Sequence, residues 1–121
     1  MIGHAQACYP QEGCGLLVGR RMAERFIPME NTLGSSTAYE MDPKQLVDTL
    51  RALRESGEEL VAIYHSHPSG PAEPSARDIA QAFHPEAAHI IVSLAEAKCP
   101  QVRGFRIIEG VATEIELHAI V

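Results

Sequence analysis

At 121 residues the chain fits one domain of common size, long enough to bury about two-thirds of its unfolded surface. Apolar residues make up 45% of it and aromatics 5%, which argues for an aliphatic globular core and against disorder. Sixteen acidic against ten basic residues give a formal charge of −6, with no cluster of Lys and Arg. That balance argues against nucleic acid or an anionic membrane as the main partner.

Residues 1–121 read as one domain, without a repeat or a dividing linker. The opening MIGHAQACYP lacks a basic stretch followed by an apolar one, so no signal peptide is expected; a short helix should end before Pro10. Residues 13–19 and about 24–29 read as an opening strand pair. A helix is predicted over Pro43–Ser56, with Asp42 as N-cap, Pro43 in the first turn and Gly57 just past the end. Leu46, Val47, Leu50 and Leu53 form its apolar stripe. Residues 60–67 are apolar on both faces at first, as in a central buried strand. A shorter helix runs from 75 to about 83, with Ile79, Ala80 and Phe83 on one face and His84-Pro85 as its stop. Residues 88–94 form a second buried strand. Residues 102–108 and 111–117 flank a hairpin turn at Glu109-Gly110, and Val111, Thr113, Ile115 and Leu117 should be the buried face of the last strand. The fold class is α/β, a single-domain mixed sheet flanked by helices. No apolar run reaches the ~20 residues that span a bilayer. Cys8, Cys14 and Cys99 are odd in number and include no Cys-x-x-Cys pair, so neither a disulfide framework nor a four-thiolate zinc site is expected, and a reducing cytoplasm is the expected compartment.

The chemistry lies between residues 65 and 78. Side chains two apart on a strand share a face, so His65 and His67 can aim two imidazoles at one point. Pro68 and Gly70-Pro71 end the strand, Pro74-Ser75 opens a helix, and Asp78 on its first turn can bring a carboxylate back over the imidazoles. Two His and one carboxylate leave one position on tetrahedral zinc open to water, as in catalytic rather than structural sites. The bland readings are strand-end packing for the His pair and a capping box for Ser75-x-x-Asp78; the latter competes with ligation for Asp78. Cys14 sits in an apolar run where an inert thiol is expected. His4, His84, His89 and His118 lack a paired spacing and read as surface or packing residues. Ser66 should face away from the two imidazoles.

His-Ser-His-Pro, six residues, then Ser-x-x-Asp resembles the JAMM (MPN+) metalloprotease motif without a gap. Pro10-Gln11-Glu12-Gly13-Cys14-Gly15-Leu16-Leu17 is similar to the family's upstream glutamate segment. The resemblance implies a sheet flanked by helices, like that of cytidine deaminases, and one zinc per chain held by His65, His67 and Asp78. It further implies that Glu12 takes a proton from the metal-bound water and delivers it to the leaving amine, and that Ser75 donates to the oxyanion. Only the resemblance singles out Glu12. The compact layout, and the segment 27–32 with Tyr39 downstream, look like the bacterial Mec-type enzymes. These remove a C-terminal addition, such as a cysteine, from a ubiquitin-like sulfur-carrier protein ending in Gly-Gly. The expected partner is therefore such a protein, and self-association into a homodimer is left open. Two alternatives share the motif or fold: a RadC-like protein linked to DNA repair, and a non-catalytic MPN module that binds ubiquitin-like proteins. A nucleoside deaminase would need His-x-Glu and Pro-Cys-x-x-Cys, and the sequence has neither.

Overall fold

In this computed structural model, which describes residues 1–96 and 98–117, the chain forms a mixed six-stranded sheet with three helices among those residues. The elements are α1 (Ile2–Cys8), β1 (Cys14–Gly19), β2 (Arg25–Met29), α2 (Pro43–Ser56), β3 (Glu59–His67), α3 (Ala76–Ala80), β4 (Ala88–Ser93), β5 (Gln101–Ile108) and β6 (Val111–Ile115). Their spatial order is β2-β1-β3-β4-β5-β6, which makes β3 and β4 central. These two run parallel, whereas β1 is antiparallel to β2 and β3, and β5 to β4 and β6. The carboxyl ends of the parallel pair meet at one end of the sheet, where open α/β sheets place their ligands.

Alternation along β3 assigns Ala62, Tyr64 and Ser66 to one face and Ile63, His65 and His67 to the other. On the first face Ala62, Tyr64, Ala88, Ile90 and Val92 pack with Ala5 of α1. On the second, Cys14, Leu16, Val18 and Ile63 pack with Leu53, Leu46 and Leu50 of α2. His65 and His67 thus prolong the α2-side face beyond its apolar stripe.

The expected caps of α2 are present. The Asp42 carboxylate accepts the Gln45 N–H at 3.0 Å, and Gly57 takes φ 76°, its N–H reaching the Leu53 carbonyl. The apolar stripe is narrower than expected, because Val47 turns outward and is 53% exposed. The second predicted helix is also shorter. Ser75 is its N-cap, α3 stops at Ala80, and Phe83 is 76% exposed instead of sharing a buried face with Ile79. Pro85 bars its neighbour from helical backbone, and the chain unwinds upstream of it, where Ala82 N–H makes only a short-range bond to the Ile79 carbonyl.

The last strand corrects the expectation as well: it ends at Ile115, Val111, Thr113 and Leu117 are exposed, and only Ile115 joins the α1-side cluster. It is the edge of the sheet, so alternation in its sequence does not correspond to a covered face. Its hairpin is as read, with Glu109 at φ 50° and Gly110 at φ 78°, the positive pair that a two-residue type I′ turn demands. No helix among the described residues is long and apolar enough to cross a membrane.

Candidate functional site

At the end of β3 the Nε2 atoms of His65 and His67 lie 3.0 Å apart. Asp78 Oδ2 lies 3.0 Å from the first and 3.1 Å from the second. The three predicted ligand groups therefore converge. The same Oδ2 accepts the Ser75 N–H at 2.9 Å, and Ser75 Oγ accepts the Asp78 N–H at 3.1 Å, completing a capping box. The two readings of Asp78 are thus compatible: the box that caps α3 also aims its carboxylate at the imidazoles.

The imidazoles are held from behind. His67 Nδ1 donates to the Pro71 carbonyl at 2.7 Å, and since a carbonyl only accepts, the lone pair of a neutral His67 sits on Nε2, facing Asp78. The loop supplying that carbonyl is tied to β4 by Ser93 Oγ, which donates to the Gly70 carbonyl at 2.6 Å. The Tyr39 ring stacks on His65, with centroids 4.6 Å apart and planes 24° from parallel. Burial holds His65 below the ordinary histidine range, keeping it neutral despite the nearby Asp78. Burial also lowers His67, but Asp78, the Pro71 carbonyl and Glu12 outweigh it, so its net shift is upward. Desolvation would raise Asp78, but the two imidazoles beside it outweigh that and hold its carboxyl well below the usual carboxylate range.

Glu12 reaches this cluster across more than fifty residues by strand register. Cys14 pairs with His65 in the antiparallel β1–β3 ladder. The pairing continues past the strand ends, with Ser66 N–H donating to the Gly13 carbonyl at 2.9 Å and Gly13 N–H to Ser66 Oγ at 2.7 Å. Two residues before Cys14, Glu12 therefore points to the same face as the histidines. A carboxylate oxygen of Glu12 and imidazole nitrogens of His65 and His67 all lie within 4.8 Å of one another. Glu12 is only 4% exposed, and its Oε1 is buried without a hydrogen-bond partner among the described residues. Burial pushes its carboxyl up to about 7; the neighbouring His67 opposes that shift and Asp78 adds to it.

The donor set fits a divalent cation. Three electron-rich atoms within 3.1 Å of one another need a proton or a cation among them. Ligands bonded to tetrahedral zinc at about 2.0–2.1 Å stand ~3.3 Å apart, within a few tenths of an ångström of this triangle. Two cavities flank it. One of about 240 Å³ is largely apolar, lined by Tyr39, Met41, Leu46, Ile63, Phe83 and Asp78. The other, about 300 Å³, is lined by Glu12, Ser36, Thr37, His67, Gly70 and Ser75.

The other residues weighed in the sequence do not form part of this triangle. Cys14 is fully buried, and burial pushes its thiol up to about 12, so it is inert at neutral pH. Ser66, on the opposite face, clamps Gly13 as described. His4 contacts the Tyr64 hydroxyl at 3.3 Å, His84 lies 3.3 Å from Glu86, His89 is buried in β4, and His118 lies outside the described residues. Sequence reasoning did not single out Asn31 or the stacking role of Tyr39; its only signal for them was the likeness of the segment that holds them.

The family described as prokaryotic homologs of the JAB domain matches residues 1–107. A Mycobacterium tuberculosis protein named CysO-cysteine peptidase is 35% identical over 99% of this chain and 84% of its own length. A Thermus thermophilus protein named probable TtuB-protein conjugate cleaving protease is 55% identical over 60% of this chain and 50% of its own length. The solution structure of a Desulfitobacterium hafniense protein superposes with a TM-score of 0.84 at 37% identity, covering 96% of this chain and 83% of that one. A JAB1/MPN domain protein from Archaeoglobus fulgidus shares the fold, with a TM-score of 0.63 at 20% identity over 96% of this chain and 86% of that one.

Proposed function

The chain belongs to the family of prokaryotic homologs of the JAB domain, and from that premise we propose that it is a zinc peptidase that cuts after the C-terminal Gly-Gly of a ubiquitin-like carrier protein. The observation that carries this reading is the 3.0–3.1 Å triangle of His65 Nε2, His67 Nε2 and Asp78 Oδ2 with a buried glutamate beside it. These three groups would hold one zinc ion per chain. Zinc held there supplies Lewis acidity, lowering the pKa of a water toward about 7 and polarising the scissile carbonyl.

The protein groups divide the rest of the work. Glu12 takes a proton from the attacking water and hands it to the leaving amine. As a carboxylate it accepts the first proton, and the carboxylic acid so formed donates the second. Ser75 Oγ accepts the Asp78 N–H, which leaves its own O–H to donate to the developing oxyanion from the wall of the polar cleft. The Pro71 carbonyl fixes the His67 tautomer, and Tyr39 covers the face of His65.

A chain laid from the apolar cavity to the polar cleft crosses the triangle, because Asp78 lines the first and His67 and Glu12 line the second. The carrier's tail takes the apolar side and the leaving group the polar side. The two glycines that precede the cut let the backbone approach where a Cβ would clash. The test is mass spectrometry of a carrier extended beyond Gly-Gly, incubated with the protein with and without chelator. Cleavage at the last glycine that chelator abolishes is expected; an uncut carrier retained as a stable complex would make the protein a binding module instead.

A further inference from the structure

Glu12 is buried and its Oε1 has no hydrogen-bond partner among the described residues, whereas both polar groups of its backbone are held. The side of that backbone away from β3 is gripped by the segment 31–41, which the Asn31↔Met41 bridge closes into a loop. Glu12 N–H donates to the Ser35 carbonyl at 2.8 Å, and Asn31 Nδ2 donates to the Glu12 carbonyl at 3.0 Å. Asn31 is the knot of the loop. Its Nδ2 also donates to the Ala38 carbonyl at 3.1 Å, while its Oδ1 accepts the N–H of Leu33 at 3.1 Å and of Glu40 at 3.2 Å. An amide has two donor hydrogens and two acceptor lone pairs, and all four are used here.

Resting on the reading of Glu12 as the base, we infer that Asn31 is the positioning residue of the general base. It fastens the Glu12 carbonyl to a loop whose residues Ser36 and Thr37 wall the polar cleft. The four bonds make this a built device rather than a passing contact. Oδ1 folds the loop on itself through Leu33 and Glu40, and that fold presents Nδ2 to Glu12. Aspartate keeps the first half, since its oxygen still accepts those two N–H groups. It loses the second, because a carboxylate oxygen cannot donate to the carbonyls of Glu12 and Ala38. Asn31→Asp therefore removes the clamp together with one loop bond, to Ala38, and keeps the two loop bonds from Leu33 and Glu40. Asn31 touches neither His65, His67 nor Asp78 through any of these bonds, so metal binding is a separate property.

The test is a double-mutant cycle on zinc-loaded protein with a Gly-Gly-extended carrier, using Asn31→Asp, Glu12→Gln and the pair. Asn31→Asp is expected to lower kcat about 10- to 100-fold, the order of loss for small displacements of a catalytic group, with KM within about twofold and zinc affinity within about threefold. Added to Glu12→Gln, it should cost less than about threefold more, because there is no base left to misplace. In the metal-free protein, amide exchange at Glu12 and Gly13 should quicken at least about tenfold, with exchange at Tyr64 unchanged. Losses that multiply in the pair, a rise in KM at constant kcat, or unchanged exchange at Glu12 would each overturn the assignment. Full activity of Glu12→Gln would instead overturn the reading of the base itself. Asn31→Gln, which carries the same amide one methylene further out, repeats the cycle if Asn31→Asp does not fold.

Discussion

Replacing Glu12 by glutamine tests two properties of one carboxyl. The side chain is isosteric, so packing is kept, but the amide neither ionises nor relays a proton. With zinc bound, the rate should fall by about 10²–10⁴, equal to roughly 3–5 kcal/mol of barrier at 1.36 kcal/mol per tenfold. Without metal, the effect moves to stability. The carboxyl titrates at 4.5 when unfolded and at about 7 when folded. Between those values the folded state holds the proton that the unfolded state has released, so this group makes stability fall as pH rises from 4.5 to 7. The interval corresponds to a loss of about 3 kcal/mol at 1.36 kcal/mol per pH unit, or roughly 10 °C in Tm for a domain of this size. The assay is thermal melting in chelator between pH 4.5 and 8, wild type beside Glu12→Gln. The wild type should lose more stability across that range than the variant, which should be the more stable protein above pH 7. Melting curves that shift in parallel with pH would refute the claim that burial perturbs Glu12, and an undiminished rate with zinc would refute its role.

Three further outcomes follow from the geometry. Asp78→Asn keeps an oxygen to accept the Ser75 N–H, and so the start of α3, but it removes the negative charge between His65 and His67; zinc affinity measured by competition should fall more than about 100-fold. Ser75→Ala should cost about 1 kcal/mol of stability as a lost cap and about 10²–10³ in rate as a lost donor, while Ser75→Gly restores most of the Tm and none of the rate. A full rate in Ser75→Gly would remove Ser75 from the oxyanion site. Zinc at 100 times its Kd should raise stability by about 2.7 kcal/mol, chelator should reverse the gain, and Asp78→Asn should not show it. Equal stabilisation of both proteins would place the ion elsewhere.

Much of this architecture is written locally. The caps of α2 and the Glu109-Gly110 turn are short-range chemistry, and each appears where its residues demand. The pairing of His65 with His67 follows from strand alternation alone, and Asp78 from the distance a tight loop can cover. Where reading failed, tertiary context decided. Val111, Thr113, Ile115 and Leu117 alternate as a buried face would, but β6 is an edge strand, and its neighbours on the sheet are not a property of its own residues. Phe83 has helical spacing from Ile79, yet α3 is five residues long and ends before it. Glu12 marks the same limit inside the site. Its place beside His67 follows from the Cys14↔His65 register between strands far apart in the chain, and its burial from the loop that Asn31 ties over it. No periodicity reports either, and only likeness to other sequences pointed there.

The proposed chemistry requires one divalent ion caged by two imidazoles from β3 and the carboxylate that opens α3. Anomalous diffraction at the zinc edge, from crystals grown with one equivalent of zinc, locates that ion. A single strong peak is expected about 2.0–2.2 Å from His65 Nε2, His67 Nε2 and Asp78 Oδ2. A peak held by other residues, or no peak while these three groups keep their 3.0–3.1 Å triangle, would contradict it.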